Sequence, residues 1–267
     1  MMGVGDEHYE MVLRNTNIIL SGADPEFISQ DMTEAVTQLL TAGGDLAALV
    51  TGLAEQRQAS PTDDLVSALA TANVDGEQLT PAELASFFIL LVVAGNETTR
   101  NAISHALLLL ADLDTRIGPA VEEIIRYVSP VIWMRRTLTK DTVMNGHAYR
   151  ENDKVLLFYQ AANRDDAVFL EPDRFDITHS PNPHVGFGSP GPHICLGAHL
   201  ARREISAVLR ELLKRVPDIR AAGEPDYLLS SFINGSSTWL VSSADGLSSR
   251  FRTDARASPP PTCVRIS

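Results

Sequence analysis

One cysteine in this chain stands where its sulfur could be held as a thiolate. Cys195 closes the glycine- and proline-rich stretch GFGSPGPHICLG (186–197) and directly precedes a helical-looking run, LGAHLARREISAVLRELLKRV. Free N–H groups and the dipole at a helix N-terminus favour negative charge, so a cysteine there deprotonates readily. A thiolate is a soft metal ligand, and on haem iron it donates electron density that favours O–O cleavage. The bland alternative is an ordinary buried cysteine. A zinc or redox-thiol site is a third reading, but the other cysteine, Cys263, lies in a polar tail and shows no ligand-like spacing.

A second candidate sits inside a long apolar run. Its middle reads Ala94-Gly95-Asn96-Glu97-Thr98-Thr99-Arg100. An acid and two threonines within a buried helix are costly unless they act. Gly95 removes a side chain and leaves room for a flat cofactor or small ligand, and threonine hydroxyls can bond back to the helix or to a guest. The alternative is a polar patch where the helix nears the surface. A third set is Glu123 and Arg126, spaced i, i+3 on one helix face, with Pro172-Asp173-Arg174-Phe175 downstream. Alone, such a pair is weak evidence, because surface helices carry many of them.

These motifs together resemble the cytochrome P-450 family of haem-thiolate monooxygenases, and they occur in the family's order: AGNETT, ExxR, PxRF and the cysteine loop. The resemblance covers residues 1 to about 242 and implies the following roles. Cys195 would be the axial ligand of the iron of haem b (iron protoporphyrin), and Phe187 would cover its sulfur. His193 and Arg136 would reach haem propionates, with Arg135 as the alternative to Arg136. Gly95, Gly191 and Gly197 would leave room for the ring. Thr98 would hydrogen-bond the oxygen bound there, and Glu97 would relay protons to it. Glu123, Arg126 and Arg174 would form a structural Glu-Arg-Arg triad beneath the loop. The apolar stretches 88–94, 131–134 and 232–234 would contact substrate.

The implied reaction inserts one oxygen atom of O2 into a C–H bond of a hydrophobic small-molecule substrate. The wording AGNETTRN and PNPHVGFG is similar to that of actinobacterial enzymes acting on sterol side chains or methyl-branched lipids. Electrons would come from NAD(P)H through a ferredoxin and ferredoxin reductase, and the protein would be a cytoplasmic monomer. Two features depart from the family. Phe187 lies eight residues before the cysteine rather than seven. The chain is also shorter than family members, with the shortfall N-terminal and a further gap near Leu110–Ala111. A truncated, non-catalytic remnant that does not hold haem stably is the competing expectation.

The remaining composition is that of a soluble globular protein: 267 residues, 44% hydrophobic and 21% charged. A net charge of −12 argues against nucleic acid as a partner. Two cysteines make no disulfide framework and fit a reducing compartment. The first residues lack a signal-peptide pattern, and no run of eighteen uncharged apolar residues occurs. Apolar spacing predicts helices over 6–20, 31–58, a short stretch after Pro61, 80 to about 110, the segment PAVEEIIRYV, and the cysteine helix to about 216. Thr80-Pro81-Ala82-Glu83 reads as a capping box. The helix it opens is apolar on nearly all sides, which predicts that it crosses the interior. Short strands are expected within 131–163, around 226–233 and around 237–242. The fold class is therefore mainly α with small β-sheets, the C-terminal two-thirds of the cytochrome P-450 fold. Residues 1–243 would form the partial domain and 244–267 a disordered tail.

Overall fold

The computed structural model describes residues 1–20, 24–109, 116–242 and 249–252. Within it the described residues of 1–97, 228–230 and 252 form one compact unit, and those of 98–227 and 231–251 form a second.

The first unit holds α1 (Tyr9–Leu20), α2 (Met32–Ala59), α3 (Leu65–Thr71), a short hairpin of β1 (Asn73–Val74) and β2 (Glu77–Gln78), and the start of α4 (Pro81–Leu109). Asp31 caps α2 by accepting from the Glu34 N–H at 2.9 Å, and Asp64 caps α3 from the Ser67 N–H at 2.7 Å. Leu46 and Val50 of α2, Val66 of α3, and Leu84, Phe88 and Val92 of α4 build the core. By length and composition α2 and α4 could each cross a membrane. Here both contribute to this one core.

The expected capping box opens α4. The Glu83 N–H donates to Thr80 Oγ1 at 3.2 Å, and the Thr80 N–H donates back to Glu83 Oε2 at 2.9 Å. Replacing Thr80 with alanine should cost about 1 kcal/mol, read from the urea midpoint. The helix is not enclosed all round, as its composition suggested. Phe87, Leu90, Ala94 and Gly95 are exposed. Its apolar character covers more than one face, but the protein packs against only part of it.

In the second unit α4 continues beside α5 (Ile117–Val128) and α7 (Ala198–Arg215). Ala102, Ala106 and Leu107 pack with Val121, Ile124, Ile125, Ile205 and Leu209. Strand β3 (Trp133–Thr137) pairs antiparallel with β6 (Lys154–Phe158), placing Arg136 opposite Val155. Strands β4 (Thr142–Met144) and β5 (His147–Tyr149) form a hairpin across Asn145-Gly146. A short α6 (Tyr159–Ala162) follows β6, and an irregular meander leads to the cysteine loop. The last sheet joins β7 (Arg220–Ala221), β8 (Asp226–Tyr227), β9 (Ser236–Ser242) and β10 (Ser249–Arg252). The tail expected from 244 thus includes a strand, while 243–248 and 253–267 lie outside the described residues. So do Leu110 and Ala111, where the gap was expected.

His105 is a buried titratable group on α4, with Nε2 unpartnered among the described residues and the ring stacked on Tyr227 at 6.0 Å. Burial lowers its pKa from 6.5 to about 4. The folded state therefore prefers the neutral ring. The stability this contributes is full above about pH 6.5 and is lost as pH falls towards 4. At 1.36 kcal/mol per unit the loss is on the order of 2–3 kcal/mol. Urea midpoints measured across that window should fall in the parent chain and stay flatter in His105→Leu.

Candidate functional site

The cysteine loop is shaped by two glycines with positive φ. Gly188 (φ +84°) and Gly191 (φ +143°) adopt backbone that side chains rarely tolerate. A Cβ on Gly188 would also lie 3.4 Å from the His193 carbonyl oxygen. The Gly188 N–H donates to the Val185 carbonyl at 2.8 Å, and the Ile194 N–H to that of Gly191 at 3.1 Å. The Cys195 N–H donates to the Phe187 carbonyl at 2.9 Å, so the start and end of the turn are tied together. Gly197 is then the N-cap residue of α7. The Cys195 thiol is free and exposed, which removes the buried-core alternative. Its neighbours Ile194 and Leu196 are also exposed, Leu196 at 81%. At Gly191 and Gly197 a Cβ would meet nothing within 4 Å.

Two adjacent acids on α5 hold this loop and the meander before it. Glu123 and Arg126 are both 0% exposed and form a two-pronged pair, Nη2 to Oε1 at 2.7 Å and Nε to Oε2 at 2.8 Å. Arg126 also donates to the carbonyls of Asn163, Pro172 and Arg174. Arg174 therefore enters the cluster through its backbone, which corrects the expected triad. Its side chain is 64% exposed and pairs with Glu171. The further contacts of Glu123 are His179 Nδ1 at 3.1 Å, Asn182 Nδ2 at 3.0 Å and the Asp176 N–H at 2.8 Å. Sequence reasoning missed His179 because no fixed spacing links it to Glu123.

Glu122 faces a different set. It receives Arg202 Nε at 2.6 Å and Nη2 at 2.9 Å, and meets His184 Nε2 at 3.0 Å. Its pKa is pulled down to about 2, first by the His184 hydrogen bond and then by Arg202. Arg202 lies over the Phe187 ring at 4.4 Å. Its own pKa is raised, first by Glu122, with the charge of Cys195 a smaller contributor.

The other expected residues are distributed as follows. Gly95 is exposed, and a Cβ there would meet nothing within 4 Å. Glu97 is 4% exposed and Thr98 is half-buried. Asn96 Nδ2 donates to Thr16 Oγ1 of α1 at 2.8 Å. Arg136 is half-buried and donates only to the Arg135 carbonyl among the described contacts, while Arg135 is exposed on the opposite face of β3. His193 is exposed beside the cysteine. Of the expected substrate-contacting residues, Phe88, Val92, Val93 and Ile233 are core side chains, so they cannot line a substrate surface.

The family model for cytochrome P450 matches residues 119–216, from α5 through α7. The methyl-branched lipid omega-hydroxylase of Mycobacterium tuberculosis is 47% identical over 252 residues, which are 90% of this chain and 58% of that protein. The chain belongs to the cytochrome P450 family. The steroid C26-monooxygenase of Mycolicibacterium smegmatis is 35% identical over 90% of this chain and 57% of its own length. The structure of a Mycobacterium marinum cytochrome P450 in complex with pseudoionone superposes with a TM-score of 0.84 at 42% identity, covering 90% of this chain and 60% of that one. The P450 chain described here thus spans less than two thirds of these relatives.

Membership implies haem, and the residues present fit it. Among the described residues no group of three His, Cys, Asp or Glu could hold a metal ion. A metal at Cys195 therefore needs its other ligands from elsewhere, as a porphyrin supplies them. The thiol is exposed, Ile194 and Leu196 offer apolar surface beside it, and Gly191 and Gly197 leave open space.

Proposed function

We propose that this chain carries the iron-ligating and oxygen-handling residues of a haem-thiolate monooxygenase. It would insert one oxygen atom of O2 into a C–H bond of a sterol-like or methyl-branched-lipid-like substrate. The exposed Cys195 thiol, presented by a glycine turn at the start of α7, carries this reading. Cys195 Sγ would ligate the iron and Phe187 would shield the sulfur from water. Arg136 and His193 would neutralise the propionates, and Gly95, Gly191 and Gly197 would leave room for the ring. Bound haem supplies the electron-transfer and O2 chemistry that side chains lack.

The buried Glu97 carboxyl would hold a proton and pass it to Thr98 Oγ1, whose hydroxyl would direct it to substrate dioxygen. Glu123 and Arg126 would keep the scaffold beneath the loop rigid. The substrate class rests on the named activities of the two relatives. The exposed Phe87, Leu90 and Ala94 on α4 offer apolar surface that suits such a molecule. Electrons would arrive from NAD(P)H through a ferredoxin and its reductase, with the protein a monomer in the cytoplasm.

The test is a carbon monoxide difference spectrum of the purified, haem-reconstituted and reduced chain. A Soret band at the thiolate position is the expected result. The competing reading, a chain that does not hold haem stably, draws on the exposed Leu156, Leu157 and Phe158 of β6. It expects a folded chain with no such band.

A further inference from the structure

The pair of acids on α5 divides its work. Glu123, with its Arg126 partner wholly out of solvent, locks the meander through Arg126, His179, Asn182 and the Asp176 N–H. Glu122 instead faces the cysteine loop, and both it and Arg202 keep about a third of their side-chain surface in water (33% each). A partly exposed ion pair adds little to global stability. Its effect here is local, because every group it touches leads to the thiol.

Starting from α7, Arg202 extends two parallel N–H donors to the two oxygens of Glu122 and lays its plane over Phe187. Glu122 also meets His184 Nε2, and the His184 ring is only 4% exposed. His184 Nδ1 accepts the Gly186 N–H at 3.2 Å. That bond fixes the tautomer: the proton sits on Nε2, which donates to Glu122. Phe187 is the next residue, and its carbonyl accepts the Cys195 N–H. The residues before the turn and the helix after it are thereby closed into one ring of contacts around Cys195. The charge of Arg202 is also near enough to sense that of Cys195.

We propose that Arg202, anchored by Glu122 and His184 and laid over Phe187, is a positioning residue that fixes the turn presenting the Cys195 thiol. As a role toward the iron ligand it rests on the haem-thiolate reading; as a clamp on the loop it does not. A lysine cannot replace it, because an ammonium offers neither the planar fork nor the stacking surface.

Hydrogen exchange on the haem-free chain tests the clamp. In Arg202→Met the amides of Ile194 and Cys195 should exchange about tenfold faster or more, while those of Ile124–Val128 in α5 keep their parent rates. Arg202→Lys should resemble Arg202→Met, and Glu122→Gln should fall between it and the parent. Unchanged loop exchange in Arg202→Met would overturn the proposal, as would equal acceleration in α5 and the loop. In the haem-loaded chain Arg202→Met should lose haem about 10- to 100-fold faster and shift the thiolate Soret band. A parent chain with no thiolate band would sink the haem reading alone, since the exchange result stands without it.

Discussion

Arg126→Met should destabilise the chain by about 3–5 kcal/mol, a large part of the roughly 5–15 kcal/mol that holds a domain together. The guanidinium has five N–H donors, and each is used. Two go to Glu123, at 2.8 and 2.7 Å, and three go to the carbonyls of Asn163, Pro172 and Arg174, at 2.8, 2.8 and 2.9 Å. Methionine fills much of the volume but donates nothing. It strands a carboxylate and three carbonyls where water has little or no access. His179, Asn182 and the Asp176 N–H would still contact Glu123, but among these only a protonated His179 could supply positive charge. Pairing Arg126→Met with Glu123→Leu should recover part of the loss, because the uncompensated charge is gone. Arg174→Ala should stay within about 0.5 kcal/mol, since the cluster uses only its carbonyl and its side chain makes just an exposed pair with Glu171. Urea unfolding of the four chains decides this. An Arg174→Ala cost equal to that of Arg126→Met would mean that the Arg174 side chain belongs to the cluster after all.

Arg174 also marks where sequence stopped informing. Features set by near neighbours were legible: the Thr80–Glu83 box, the i, i+3 pair of Glu123 and Arg126, and the Asn145-Gly146 hairpin. The β1–β2 hairpin carried a similar signal in Asp75-Gly76 and was missed, because two-residue strands leave no alternation to read. Partners joined across the fold were not legible. His179 lies 56 residues from Glu123, and Arg202 lies 80 residues from Glu122. Nothing in their local spacing announces either bond. The hidden property of α4 was exposure. Composition reports that Phe87 and Leu90 are apolar like Phe88, but only packing separates the core residue from the two facing outward. The exposed pair lies towards the same stretch as Ala94 and Gly95, where the polar break begins.

Cys195→Ser should abolish thiolate haem binding while leaving the fold intact. The exchange keeps shape and nearly keeps volume. The two backbone bonds at this residue, from its N–H to the Phe187 carbonyl at 2.9 Å and from the Ala198 N–H to its own carbonyl at 3.3 Å, do not involve the side chain. The side chain is exposed, so stability should change by no more than about 0.5 kcal/mol. The chemistry changes far more. Sulfur is a soft donor that suits haem iron, whereas a serine hydroxyl is far less acidic than a thiol and a poor partner for it. The reduced, carbon monoxide-treated variant should therefore show no thiolate Soret band at an unchanged urea midpoint. Gly191→Val separates shape from ligand. It keeps the sulfur but forces a β-branched residue to φ +143° in the turn, so it should weaken the band through a displaced loop rather than a missing donor. A serine variant that kept the parent band would show that another residue ligates the iron, and the assignment of Cys195 would fail with it.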